Sequence, residues 1–263
     1  MKRRFLMTMV TLAAFFWGNM LLADTITIVG TGSGSAVLKS VGRAFSTIHP
    51  EVTITVPESI GSGGGIKAVG NDKNPLGRVA REINDRERAY QLTYLPYAKN
   101  PIVFFVNKNV GIKGLTTQQV CDIYCGKITN WKQVGGRDAK IRVIRREDGD
   151  SSLEVLLKSF PGFAGISLTE KSKTTFSDPI TCELAERKEN TIAFGTYANA
   201  RNYDVNILTI NGKNPTAADY DYVGTLALIF KEKNRNGNID KFVSFVTSQA
   251  AHNAIRRAGA LPL

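Results

Sequence analysis

The chain has 263 residues, with 34 Lys and Arg against 23 Asp and Glu, a formal net charge of +11 and 43% hydrophobic residues. That is ample for a packed core, in one large domain or two of about 125 residues, and too apolar for general disorder. No heptad array, collagen period or repeat of roughly 20–50 residues occurs, which excludes fibres and solenoids.

Lys2, Arg3 and Arg4 precede an apolar run from Phe5 to Leu22, which ends Leu21-Leu22-Ala23 before Asp24. A basic start, an apolar middle and a small residue at the cut predict a secretory signal peptide over 1–23, and with it an exported protein. A membrane anchor is the competing reading, but Thr8, Thr11, Gly18 and Asn19 dilute the run. No Cys follows the cut, so nothing points to a lipid-anchored N-terminus. Removal of the three cations leaves 31 against 23, a mature charge of +8 that favours anions in general and names none.

Thr25 to Val29 alternates as a strand and runs into Gly30-Thr31-Gly32-Ser33-Gly34-Ser35. Val37, Leu38, Val41, Phe45 and Ile48 then have the one-face spacing of an amphipathic helix. A second alternating strand, Val52 to Val56, leads into Ser59-Ile60-Gly61-Ser62-Gly63-Gly64-Gly65, and Ile66 and Val69 open a short helix. Ile102 to Val106 reads as a buried strand, and Leu115 to Tyr124 as a helix with Thr116 as its cap. Lys140 to Ile144 is a strand before Arg145-Arg146-Glu147-Asp148-Gly149-Asp150-Ser151-Ser152. A helix with Leu153, Leu156, Leu157 and Phe160 on one face follows that loop. Further strands are expected at 192–194, 205–210 and 223–230, and terminal helices over 239–258. Strands alternating with helices predict an α/β protein with largely parallel sheets.

Three times, then, a strand enters a Gly/Ser-rich loop that opens a helix: 30–35, 59–65 and 148–152. The first turn of a helix leaves N–H groups unpaired, and aligned peptide dipoles add partial positive charge there. Glycine lets an oxyanion approach the backbone, and Ser and Thr hydroxyls add donors. One such loop is ordinary, because Ser is a common N-cap and Gly a common turn residue. Three together predict an anion cage.

Other chemistries lack their residues. The Gly30-x-Gly32-x-Gly34 spacing is not that of a dinucleotide fingerprint, and neither a P-loop nor a G-x-S-x-G elbow occurs. No cofactor and no metal are expected, since His49 and His252 are remote from each other and from the cysteines. Lys and Arg are scattered without a basic helix or an aromatic-basic ladder, so nucleic-acid binding is not expected. Cys121, Cys125 and Cys182 are an odd count in an exported protein and predict one disulfide with one thiol left over. Cys121 and Cys125 are four apart on a helix, where bridging geometry is poor, so Cys182 is expected to be one partner.

The loops, together with Asp122-Ile123-Tyr124-Cys125-Gly126-Lys127-Ile128-Thr129-Asn130-Trp131 and the closing Ala260-Leu261-Pro262-Leu263, resemble the phosphate-binding proteins of bacterial ABC importers, a branch of the periplasmic binding proteins. The resemblance covers nearly all of the mature chain. It implies two α/β lobes joined by two crossover segments: 24–107 plus 223–263, and 108–222. It also implies a ligand between them, phosphate or a similar oxyanion, with a membrane ABC permease as partner and no catalysis; a monomer is expected. Ser33, Gly34, Ser35, Ser62, Gly63 and Arg81 would face the ligand from one lobe. Arg146, Asp148, Ser151 and Ser152 would face it from the other.

Arg146 offers a planar fork suited to two phosphate oxygens. Asp148 would accept the proton that phosphate carries near neutral pH and sulfate lacks, so that an unpairable group rejects sulfate. The family's third loop usually reads Arg-x-[Asp/Glu]-Gly-Ser-Gly-Thr. Here Asp150 replaces a hydroxyl, Ser151 replaces a glycine, and Ala80 lacks a usual hydroxyl. Asp150 is expected to cap the following helix and to compete there with the anion. Three alternatives stand beside phosphate capture: the same fold as a ligand-sensing module, an interaction protein with altered or lost phosphate binding, and a phosphate-ester hydrolase.

Overall fold

The computed structural model of the chain describes residues 23–217 and 219–263. The expected signal peptide lies outside the described residues except for Ala23. No helix among the described residues is long and apolar enough to cross a membrane.

The first lobe begins with β1 (Asp24–Gly30), α1 (Ser35–Ile48), β2 (Val52–Thr55), α2 (Gly61–Gly70) and β3 (Leu76–Val79). As the spacing predicts, α1 buries Val37, Leu38, Val41 and Phe45. β1 pairs in parallel with β2 on one side and β3 on the other. β4 (Thr93–Asn107) is much longer than the five-residue strand expected, because it belongs to both halves of the molecule. The second half contains β5 (Gly114–Leu115), α3 (Thr117–Tyr124), β6 (Arg142–Arg146), α4 (Ser151–Ser159), β7 (Lys173–Thr175), α5 (Asp178–Arg187), β8 (Thr191–Thr196), α6 (Tyr197–Ala200), β9 (Val205–Ile207) and β10 (Thr209–Ile210). The Thr116 cap is as expected. Its hydroxyl accepts from Gln119 N at 3.1 Å, while the Gln119 side chain accepts from Thr116 N, a capping box. The chain returns through β11 (Val223–Phe230), α7 (Gly237–Phe245), α8 (Gln249–Arg257) and β12 (Leu261–Pro262).

Strand order is β2-β1-β3-β11-β4-β8-β6-β7, with β9 and β12 also paired to β4. The expected parallel pairs occupy both flanks, β1 with β2 and β3, and β6 with β7 and β8. Around the crossing strands the pairing is antiparallel. Thr93 to Pro101 of β4 pairs with β11, and Ile102 to Val106 pairs with β8. The return crossing lies beside it: Ile102 N donates to Tyr222 O at 2.7 Å, and the Tyr220 hydroxyl donates to Ile102 O at 2.8 Å.

Side chains of a strand alternate between faces, and β4 uses this to build two cores in the second lobe. Ile102, Phe104 and Val106 pack with Val120, Tyr124, Trp131, Leu156, Phe160 and Phe163 on one face. Val103 and Phe105 pack with Ile144, Cys182, Ala185 and Ala193 on the other. This division overturns the expected disulfide. Cys121 belongs to the Phe104 face and Cys182 to the Phe105 face, so the sheet stands between them, and all three cysteines are free thiols. A disulfide needs Cα atoms within about 7 Å, which two residues on opposite faces of a sheet do not meet.

Candidate functional site

The first loop is held by close backbone approach. β1 ends at Gly30 with φ +136°, and a Cβ there would lie 2.0 Å from the carbonyl oxygen of Arg78. Only glycine fits such a crossing. Arg78, on β3, is 1% exposed and spends its guanidinium on main-chain carbonyls. Nε donates to Thr31 O and Nη2 to Pro57 O, both at 2.7 Å, and Nη1 donates to Ile28 O. Burial pulls its pKa down to about 10, which leaves it charged at neutral pH. No carboxylate is paired with it among the described residues. A fixed positive charge therefore stands directly behind the Thr31 loop, where low polarisability strengthens its field. Sequence reading did not single out Arg78 as a site residue.

The helices opening from the loops differ at their mouths. α1 and α2 start behind Gly34 and Ile60, neither of which caps its helix through a side chain. The first N–H of each helix is held from the preceding loop, Ser35 N donating to Gly32 O at 3.1 Å and Gly61 N to Ser59 Oγ at 3.2 Å. α4 is capped: Asp150 Oδ1 accepts from Ser152 N and Leu153 N, each at 3.0 Å. The capping expected of Asp150 is therefore observed.

Hydroxyls from the two lobes meet between α1 and α4. Ser33 Oγ lies 3.0 Å from Ser151 Oγ and 3.4 Å from Ser152 Oγ, and Thr31 Oγ1 lies 3.4 Å from Ser151 Oγ. Ser33, Ser151, Ser152, Ala80, Asn100, Thr196 and Gly224 surround a space closed to a water-sized sphere. Ser33 O accepts from Asn100 Nδ2 at 3.0 Å, Thr196 Oγ1 at 3.1 Å and Asn199 Nδ2 at 3.3 Å. Ser35, next to Gly34, donates to Asn199 Oδ1 at 3.3 Å. The mouth of α2 reaches the same region less directly. Ser62, buried, accepts from Ala80 N at 3.3 Å, and a Cβ on Gly32 would touch Ser59 at 3.3 Å. Gly63 lies beside the Arg81 guanidinium.

Arg146 is buried and fully engaged by carboxylates. Nη2 is 2.8 Å from Asp150 Oδ2, Nη1 is 2.5 Å from Asp178 Oδ1, and Nε is 3.4 Å from Glu147 Oε2 and 3.3 Å from Thr175 O. Burial works against its charge, but Asp178, Asp150 and Glu147 outweigh it and raise the pKa further. Asp178, 0% exposed, carries the network across the joint: its Oδ2 accepts from Thr196 Oγ1 at 3.1 Å and Asn199 Nδ2 at 3.3 Å. Both donors also hold Ser33 O. Gly195 makes room for this carboxylate, since a Cβ there would lie 2.9 Å from Asp178 Oδ1.

Asp148 is placed differently from the expectation. It is exposed on the outer turn with Gly149, and no hydrogen bond or ion pair of its side chain occurs among the described residues. The buried carboxylate of this loop is Asp150. Asp178 was missed altogether, although Ser177-Asp178-Pro179 carries a helix-start signal; Ser177 indeed caps α5, accepting from Ile180 N.

Arg81 is half-buried at the rim and forms a two-pronged pair with Glu87 at 2.7 and 2.8 Å. Its Nε is also 3.6 Å from Glu154 of α4, an ion pair across the lobes. Arg81 and Glu154 line an inter-lobe groove of about 690 Å³ with Ser151, Lys158 and Gly224. Among the described residues no group of three or more His, Cys, Asp or Glu side chains is arranged to hold a metal ion.

Comparison with known proteins agrees with this architecture. Phosphate-binding protein PstS of Borreliella burgdorferi is 24% identical over 249 residues, spanning 90% of this chain and 89% of that protein. Phosphate-binding protein PstS of Bacillus subtilis is 25% identical over 199 residues, 74% of this chain and 64% of that protein. A Clostridium perfringens structure described as a phosphate ABC transporter substrate-binding protein with bound phosphate is similar with a TM-score of 0.81. It is 27% identical and covers 91% of this chain and 100% of that one. The model of the PBP superfamily domain matches residues 21–250, and with two lobes crossed by β4 and by the return at Tyr222, the chain belongs to the periplasmic binding protein (PBP) superfamily.

Proposed function

We propose that the chain is an exported solute-binding protein that captures phosphate between its lobes and delivers it to a membrane ABC permease. The observation that carries this reading is the meeting of Thr31 and Ser33 with Ser151 and Ser152 at the mouths of α1 and α4. Hydroxyls from both lobes converge there on one point, with the Arg78 charge behind the first loop and Arg146 behind the second. Such a set suits a small oxyanion with several acceptor oxygens and negative charge. Phosphate is the ligand named for the similar proteins.

Residues 24–107 with 223–263, and 108–222, are read as the two lobes, and residues 1–23 as the signal that sends a monomer to the periplasm. Ser33, Gly34, Ser35, Ser62, Gly63 and Arg81 are read as one wall, and Arg146, Ser151 and Ser152 as the other. The acceptor expected at Asp148 is read at Asp150 instead, because Asp150 is the carboxylate inside the protein. The role is binding without turnover.

Titration calorimetry of the mature chain tests the reading. Phosphate is expected to bind 1:1, with sulfate at least about tenfold weaker, equivalent to about 1.4 kcal/mol. Absence of phosphate binding across the pH range from about 5.5 to 8.5 would overturn it.

A further inference from the structure

Two fully buried carboxylates share one guanidinium at the second loop. Asp150 and Asp178 lie 2.8 and 2.5 Å from opposite prongs of Arg146, and Glu147 stands 3.4 Å from Nε. Asp150 is 6% exposed and also fills the mouth of α4 through Ser152 N and Leu153 N. An oxyanion using α4 and Arg146 thus meets a carboxylate already seated on the same amides and on the same fork. The charged groups facing Asp150 are Arg146 and Glu147 from β6 and its loop, and Asp178 from α5. The apposed first loop contributes only the hydroxyls of Thr31 and Ser33.

We propose that Asp150 couples anion capture to a proton: phosphate joins α4 and Arg146 only with one proton beyond the one that monohydrogen phosphate carries, held between a phosphate oxygen and the Asp150 carboxylate. In the balanced step, a monohydrogen phosphate dianion, the Asp150 carboxylate and one proton from solvent give a complex with one added O–H between the two acids. Dihydrogen phosphate brings that proton itself. No other group changes protonation.

The physical ground is that two anions forced into one dry site cannot both remain fully ionised. Burial holds Asp150 at about 7, opposed by Arg146 and reinforced by Asp178 and Glu147. The carboxylate is thus poised to accept a proton in the range where phosphate also titrates. A serine or threonine at this position would impose no such requirement, so the coupling belongs to this chain's own departure at Asp150.

The inference rests on the phosphate reading above, and the experiment separates the two. Inorganic phosphate is titrated calorimetrically into the mature chain and into Asp150→Asn and Asp150→Ser, in two buffers of different ionisation heat at about pH 8. Asn and Ser both serve as N-caps, so α4 keeps its start in either variant. The wild-type chain is expected to take up about one proton more per phosphate than either variant. Both variants should bind at least about tenfold more tightly at pH near 8.5, a gap that closes toward pH 5.5. Equal proton uptake by all three proteins, with phosphate bound, overturns the coupling and leaves the phosphate reading intact. No binding by any of the three overturns both.

Discussion

Ser33 Oγ and Ser151 Oγ lie 3.0 Å apart although 118 residues separate them, Ser33 in the turn before α1 of one lobe and Ser151 at the start of α4 in the other. The pair marks where the two walls of the cleft close upon each other. If these hydroxyls donate to one bound anion, Ser33→Ala and Ser151→Ala should each weaken phosphate binding about tenfold. Hydrogen bonds to charged groups contribute about 1.5–3 kcal/mol. Calorimetry reads the affinity, and an unchanged thermal midpoint would show that the loss is in binding.

Asp178 is the more structural of the two carboxylates on Arg146, because it also holds Thr196 and Asn199. Asp178→Ala removes one partner of a buried ion pair and should cost about 3–5 kcal/mol. A urea titration is expected to show a lowered midpoint at an unchanged slope.

Stability should depend on pH through Asp150. A carboxyl held at about 7 when folded and near the ordinary range of about 3.9 when unfolded binds protons more tightly in the native state. Its contribution is therefore present below about pH 4 and lost as pH rises through about 7. The difference in urea midpoint between the wild-type chain and Asp150→Asn should shift in favour of the variant across that window. A constant difference would contradict the assignment.

The three thiols give a separate check on the two-faced core. Cys182 is buried on the β4 face opposite Cys121, and burial pushes both thiols up, whereas Cys125 is only half-buried. A thiol reagent should label Cys125 in the native protein and all three after unfolding. Reductant should leave the melting temperature unchanged.

Gly195→Ala would drive a methyl to 2.9 Å from Asp178 Oδ1. Overpacking of this kind costs about 1–3 kcal/mol, and here it also strains the carboxylate that braces Arg146. Reduced thermal stability with weaker phosphate binding is the expected pair of results.

Much of this was readable along the chain. The period of Val37, Leu38, Val41 and Phe45 sets α1, the Thr116 box starts α3, and glycines at 30 and 32 allow the first loop its close crossing. The strands were harder. β3 is short and fully buried without alternation, and β4 was legible only where it is uniformly apolar, because its first nine residues pair as an antiparallel strand with mixed faces. The disulfide expectation failed for a related reason: cysteine count and spacing say nothing about which side of a sheet each residue reaches.

By itself the sequence determined the local pieces: where helices begin, which loops can approach an anion, and that Asp150 would cap α4, since these depend on neighbours within a few residues. Only the tertiary structure decided how the charges combine. Asp178 lies 32 residues from Arg146 and Glu154 lies 73 from Arg81, so their pairing appears only when β6, α5 and the two lobes are brought together. Burial then decides which carboxylate counts, by removing water from Asp150 and leaving Asp148 in solvent.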